Sequence, residues 1–538
     1  MQLYFHPRRR LSIVLAALFL VLPPCLAFVF PISFWAGNDN EPLGLANAFN
    51  LAFRLGDRVM YPADGMTNHP GLPFYFSTWL ALAFTGFPIA SNPLEFFHKA
   101  IDHIRTYQLV AISLASLAGA AAVYLFARIA SPFASGLVIL AGLLLWLLST
   151  PASLTTFLSP SDESFALAVN AVFLWSLLRL AQDDEGTIRT FAFAAAVSAF
   201  AYLNKLPFMY VAVALGAAMV AQYIFTKGVV RLSAGFAVFG LIAIALVLIA
   251  GKFLIGWPAF RGLLYFHRGV ALGSGLYGEG GGSVVSTSAL LSAIEAIPSD
   301  RTFAIPLAIA GGAGLLLIAA WSLLRTRKPR PELTVAIGCG LASLLSALVV
   351  LKHYSPHYSA GVSATLPGCV FAYHLLLRDR FPRTAPVVAG ILLLLVSPSV
   401  VTDLQSYIRA RVEYTRAAAL DRDELQKVLA SQKKVVDYAY RTPFREYGEG
   451  LVITYAGVKP LTDAYASDRR GTTNSFAEAL ISEDVGAYII DKKYFQTEDA
   501  VKTAANFDLL GPKPVQYQDG DTLIELRTVF VLLRRADQ

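Results

Sequence analysis

The sequence predicts an α-helical polytopic membrane protein that ends in a small α/β domain. Three observations carry this. Of the 538 residues, 56% are hydrophobic and 15% are charged, and mean hydropathy is +0.55, outside the balance of soluble domains. Apolar runs recur near the length of about 20 residues that a helical span needs. The last stretch, 403–538, holds 19 Lys+Arg and 21 Asp+Glu, a soluble charge density.

The apolar runs are 11–35, 106–126, 133–150, 165–181, 190–203, 207–225, 232–256, 303–324, 334–351, 360–377 and 384–402, about 11 transmembrane helices. The basic start "HPRRR" predicts a cytoplasmic N-terminus. A cleaved signal peptide is the alternative for the first run. Its length and its Pro23, Pro24 and Pro31 favour a retained span. The segment 72–90 is apolar enough to cross, but parity argues otherwise. If it does not cross, the loops with Arg128, Arg189, Lys227, Arg231, "RTRKPR" and "RDRFPR" all fall inside. We therefore expect a helix lying on or dipping into the outer interface there, with Tyr75 and Trp79 in the aromatic belt.

With that parity, the polar loops fall on one side: 36–105, "SPSDESF" (159–165), "NKLPF" (204–208), 257–302 and "KHYSPHYS" (352–359). The tail joins them, so the expected domains are a membrane domain 1–402 and an extracytoplasmic (periplasmic) domain 403–538. The tail should open with a helix near 406–440. Strand-like runs follow at 451–455, 487–495, 522–526 and 528–534, with a helical piece at 476–482. The Gly-rich stretch 273–288 within the outer loop 257–302 is either a mobile flap or a slack connector.

The formal charge of +7 is spread over short loops and forms no basic stripe interleaved with aromatics. That argues for membrane orientation and against nucleic acid. Cys25, Cys339 and Cys369 all lie in apolar runs, which argues against a disulfide framework. No phosphate-binding G-x-x-x-x-G-K-[ST], no G-x-S-x-G and no H-E-x-x-H occurs.

The candidate residues follow from sidedness. Asp39 and Glu41 stand where the first apolar run ends, before a long loop that also holds His69. Asp162 and Glu163 stand at the start of another run. Acids in a first helical turn are also what a capped helix shows. Lys205 ends a run and is either a site cation or a snorkelling lysine. Lys352, His353 and His357 cluster between two runs, as phosphate ligands or as interfacial anchors. Arg261 and Arg268 add cations in the long loop. Acids suit a general base, and cations suit a phosphate.

This layout resembles the GT-C superfamily of integral membrane glycosyltransferases, in the branch of aminoarabinose transferases and protein O-mannosyltransferases. The matching pieces are the acidic loop Gly37 to Gly86 with "HPGLP", Asp162 in "SPSDESF", Lys205 in "NKLPF", "HYSAGVSATLPG" (357–368) and the soluble tail. Asn40 separates two acids that are often adjacent in that family. The resemblance implies a polyprenyl-phosphate-linked sugar donor and a glycolipid, polysaccharide or protein acceptor, joined with inversion at the outer face of the inner (plasma) membrane. Asp39 or Glu41 would be the base, with Asp39 the first choice. Asp162, Glu163 and His69 would position the acceptor or a metal. Lys205, Arg261, Arg268, Lys352, His353 and His357 would meet the donor phosphate. Some members of the family use a divalent ion such as magnesium or manganese, which leaves the metal open here.

Two other classes compete. A lipid-linked glycan transporter or flippase would place ionisable residues inside its spans, where this sequence has few. A polysaccharide polymerase would carry its large outer loops between late spans.

Overall fold

In the computed structural model, the described residues are 7–30, 44–45, 48, 71–85, 99–100, 102–183, 185–224, 228–255, 257–273, 284–326, 330–430, 435–437, 486–492, 495–505 and 515–535. Each of the eleven apolar runs is mainly helical over its described residues. Nine helices among these residues are long and apolar enough to cross a membrane. The other two runs account for the difference from eleven. Residues 133–150 begin a broken pair, Gly136–Leu148 and Ala152–Leu158, bent by 74°. Counted as one span, the pair brings the number to ten. Ile188–Asn204 has 17 residues, at the bottom of the range for a span. This is the build of a polytopic helical membrane protein.

The chain divides into two compact units. The first comprises 1–26, 68–74 and 112–405. Its core is one continuous apolar cluster that includes Trp146, Phe157, Phe173, Phe208 and Phe371. Helices approach closely where side chains are small. Helices Ala304–Thr326 and Pro331–Lys352 meet at Gly312 and Gly340, where a Cβ on Gly312 would lie 2.6 Å from the Gly340 carbonyl oxygen. Small residues at a membrane helix interface allow this backbone contact. The three cysteines are free thiols, two of them buried.

The second unit comprises 27–67, 75–111 and 406–538. The tail thus forms one compact unit with part of the first long loop. Its sheet has four strands, β1 (Val435–Asp437), β2 (Ala487–Asp491), β3 (Thr522–Glu525) and β4 (Val529–Leu533), in the order β1-β2-β4-β3. The β1–β2 pair is parallel and the other two pairs are antiparallel. Leu425 and Leu429 pack with Ile489, Val529 and Val531. Ile490, Phe530 and Leu532 alternate with these and form a second cluster with Val501 and Val515. Asp421, fully buried, ties the helix to the sheet. It accepts from Arg527 N (3.1 Å), Arg527 Nη1 (3.0 Å), Thr528 N (2.7 Å) and Thr528 Oγ1 (2.7 Å).

Two expectations change and a third, the short non-crossing helix in 72–90, is met. The helix expected to begin near 406 is part of one 46-residue helix, Thr384–Leu429. Pro398 lies inside it without ending it, so the boundary drawn at 402 falls inside a regular element. The loop 257–302 contains two helices, Trp257–Leu272 and Thr287–Ser299. Segment 72–90 contributes helix Leu72–Phe84, whose 13 residues make roughly 20 Å, too short to cross alone. The runs 451–455 and 476–482 lie outside the described residues.

Candidate functional site

Three breaks in the helices of the first unit converge. The turn Asp162–Phe165 opens helix Ala166–Gln182. Ser161 N donates to Ser164 Oγ (3.1 Å), and that hydroxyl donates to the Thr156 carbonyl (2.6 Å). The serines of "SPSDES" therefore brace the turn, as a capping box does. The second break follows Asn204, where Lys205 turns extended before Leu206–Met209. Asn204 Nδ2 donates to the Asp162 carbonyl (3.1 Å), which links the first two breaks. The third is Pro356–Tyr358, between two helices.

The Lys205 ammonium is ion-paired with Glu163 Oε1 and lies 3.3 Å from Asp162 Oδ2. The side chains of Lys205 and Glu163 are only 4% and 3% exposed. Ser161 Oγ donates to the second Glu163 oxygen (2.8 Å). The Tyr358 ring faces Lys205, with the ammonium 4.4 Å from its centroid, a cation–π distance. The His357 ring packs on Tyr358 at 4.1 Å, and His357 Nδ1 lies 2.8 Å from Ser355 Oγ. Asp162 Oδ2 has no hydrogen-bond partner although buried, since its approach to Lys205 lacks hydrogen-bond geometry. Beside the cluster is a cavity of about 20 Å³, lined by Glu163, Lys205, Phe208, Ser346, Tyr358 and Val362. That is room for about one water.

Removing two carboxylates and one ammonium from water is costly even when they are paired. A helix cap needs no such burial, and a snorkelling lysine keeps its charge in water. The burial is therefore the feature that sets this cluster apart from both alternatives. Two acids face one lysine, so the cluster has an acidic group in excess of its cation.

The other expected residues are placed differently. Lys352 Nζ donates to the carbonyls of Val270 (2.9 Å) and Ala271 (2.7 Å), and His353 Nε2 lies 3.1 Å from the Val270 oxygen. These two residues hold the end of helix Trp257–Leu272. Arg261 and Arg268 are exposed on that helix. Asp39, Glu41 and His69 lie outside the described residues. Among the described residues, no three His, Cys, Asp or Glu side chains group as a metal would require.

Two contributors, Asn204 and Ser161, are not singled out by the sequence, and Tyr358 is legible there only as part of the polar stretch 352–359. Tyr358 stood in the quoted "KHYSPHYS", but nothing local signals that its ring meets Lys205. The serines around Asp162 were readable as a capping signature, but not as a carboxylate clamp. Compared with protein-family models and with curated proteins, the chain matches none.

Proposed function

We propose that the chain is a membrane-embedded glycosyltransferase. It moves a sugar from a polyprenyl-phosphate donor to a lipid, polysaccharide or protein acceptor at the outer face of the membrane. The observation that supports this best is the joint burial of Asp162, Glu163 and Lys205 at helix breaks, beside a small cavity. A charged cluster at such a place is a functional site by default.

In this reading Glu163 is held by Lys205 and Ser161 and fixes the geometry. Asp162, with one oxygen unpartnered, accepts a hydrogen bond from the acceptor hydroxyl or amine. Asp39 or Glu41 removes the proton as that group attacks the anomeric carbon from the face opposite the phosphate. The bond from the anomeric carbon to the phosphate oxygen breaks, and the phosphate leaves with the electron pair. Inversion follows from the single displacement. Of the phosphate-facing groups expected from the sequence, Lys205 is committed to the two acids, and His357 packs beside them on Tyr358.

Mass spectrometry of envelope glycolipids with and without the protein tests the reading. One sugar should disappear with the protein and return with wild type. Asp39→Ala or Glu41→Ala should abolish that return while the protein stays inserted. Full transfer by both variants would remove the assigned base.

A second reading has its own support. Spans broken at 149–151, at Lys205 and at Pro356–Tyr358, with buried charge between them, are also how transporters build binding sites. Reconstituted vesicles with a labelled lipid-linked sugar and no acceptor separate the two. A transporter moves the label across, and a transferase leaves it in place.

A further inference from the structure

Helix Trp257–Leu272 follows the span Val229–Phe253 after a π-helical turn at Gly251–Ile255. One face is fastened to the helical unit at three points. Phe260, 0% exposed, lies against Gly251, where a Cβ would come within 2.5 Å of the ring. Buried His267 places Nδ1 2.8 Å from the Tyr202 hydroxyl. At the C-terminal end, Lys352 and His353 meet the carbonyls of Val270 and Ala271. They engage carbonyls that a helix end leaves orphaned and put positive charge at its negative pole.

The adjoining face is different in kind. Trp257, Arg261, Leu264, Tyr265, Arg268 and Leu272 recur at steps of three and four, so they form one stripe. All six are exposed, Trp257 by 47% and Tyr265 by 72%. The helix contains no Asp or Glu. An inner face this firmly held cannot roll the stripe out of sight.

We propose that this stripe is a binding surface for anionic lipid headgroups in the leaflet where the span Val229–Phe253 ends. The span exposes Leu241, Ile244, Leu248, Ile249 and Phe253, and exposed Trp257 follows Phe253 by four residues in the chain. Trp and Tyr favour the boundary between hydrocarbon and headgroups. Leu264 and Leu272 enter the chain region, as the apolar side of an interfacial helix does. Arg261 and Arg268 reach phosphate oxygens with a planar fork of donors. Two cations without an acid on the same helix favour an anionic leaflet over a zwitterionic one. A protein partner would not need the stripe to follow the span's exposed residues in the chain. The proposal takes Arg261 and Arg268 away from the sugar donor, and it holds whether or not the chain transfers a sugar.

The test uses the full chain in vesicles of phosphatidylcholine and phosphatidylglycerol, with bromine on the acyl chains of one lipid at a time. The Trp257 signal is the fluorescence difference between wild type and Trp257→Phe. It should be quenched by brominated lipid, roughly threefold more by brominated phosphatidylglycerol than by brominated phosphatidylcholine at low salt. Arg261→Gln with Arg268→Gln should make the two lipids equal while Trp257 stays quenched. Equal quenching by both lipids in the wild type would overturn the anionic preference. A Trp257 signal quenched by aqueous iodide but by neither lipid would place the stripe in water. A signal shielded from all three quenchers would mean that protein covers it. Either of the last two results overturns the proposal.

Discussion

Glu163 and Lys205, 42 residues apart in sequence, form an ion pair that water hardly reaches. Asp162 Oδ2 approaches the same ammonium at 3.3 Å. One cation thus compensates two buried acids, and the cluster depends on it.

Lys205→Met should be among the most damaging substitutions in the helical unit. It strands two carboxylates, and breaking a buried pair by removing one partner costs about 3–5 kcal/mol. Glu163→Gln combined with Lys205→Met should cost less than the two single changes summed, because they share a partner. Thermal unfolding of the purified protein in detergent, followed for all three variants, checks this. Strict additivity would show that the pair is energetically uncoupled.

Gly312→Val should separate two helices that touch through backbone. The Gly340 carbonyl cannot rotate out of the way as a side chain does, so the helices must part. Overpacking of this kind costs about 1–3 kcal/mol or more. A lowered melting temperature together with faster labelling of the buried thiols Cys339 and Cys369 is expected. Gly390→Val, where a Cβ would meet nothing within 4 Å, is the matched control and should be near neutral.

Asp421→Ala should loosen the tail without affecting the helical unit's own stability. Two backbone and two side-chain donors would lose a buried acceptor at once. Leaving such groups unsatisfied costs about 1–3 kcal/mol each, and more where charge is involved. Hydrogen exchange of Val529–Leu533 should accelerate strongly. Unchanged protection there would mean that the helix-to-sheet link is held by the apolar cluster alone.

Asp183 should make one loop acid-sensitive. Burial alone would raise its carboxyl, but it accepts from Thr190 and Thr187 and from the backbone of Thr187 and Gly186. The net effect holds it below the ordinary carboxylate range. A depressed carboxyl stabilises the folded state above its unfolded pKa of about 3.9 and loses that contribution as pH falls through the folded value. Exchange of the Gly186 and Thr187 amides should therefore be pH-flat around neutrality after correction for intrinsic rates, with protection declining below about pH 4. Asp183→Asn should remove that decline.

The sequence announces the helices far better than their meetings. Each of the eleven apolar runs is mainly helical because length and hydropathy are local properties. Helix Trp257–Leu272 is hard to read because, among its described side chains, just Phe260, Leu263 and His267 are buried, and Gly262 and Gly269 weaken its propensity. The continuity of Thr384–Leu429 was hidden by a composition change that falls within the helix. Asp162, Glu163 and Lys205 were each legible as polar outliers among apolar residues. That they share one buried point was not, since this depends on helices packing across long stretches of sequence. The same holds for Thr150 Oγ1 and Ser359 Oγ, 2.7 Å apart across 209 positions.

The segment Lys352–Tyr358 is seven residues long and serves three neighbours. Lys352 and His353 grip the surface helix at Val270 and Ala271. Tyr354 donates to Asp300 (2.8 Å) and lies 3.0 Å from Thr302 Oγ1. Tyr358 presents its ring to Lys205. So short a stretch has no slack in which to serve them separately. Displacing the surface helix tugs one end of a taut cord whose other end lies on the buried charges. The lipid beside Trp257 and the ion pair at Lys205 are then two loads on the same line.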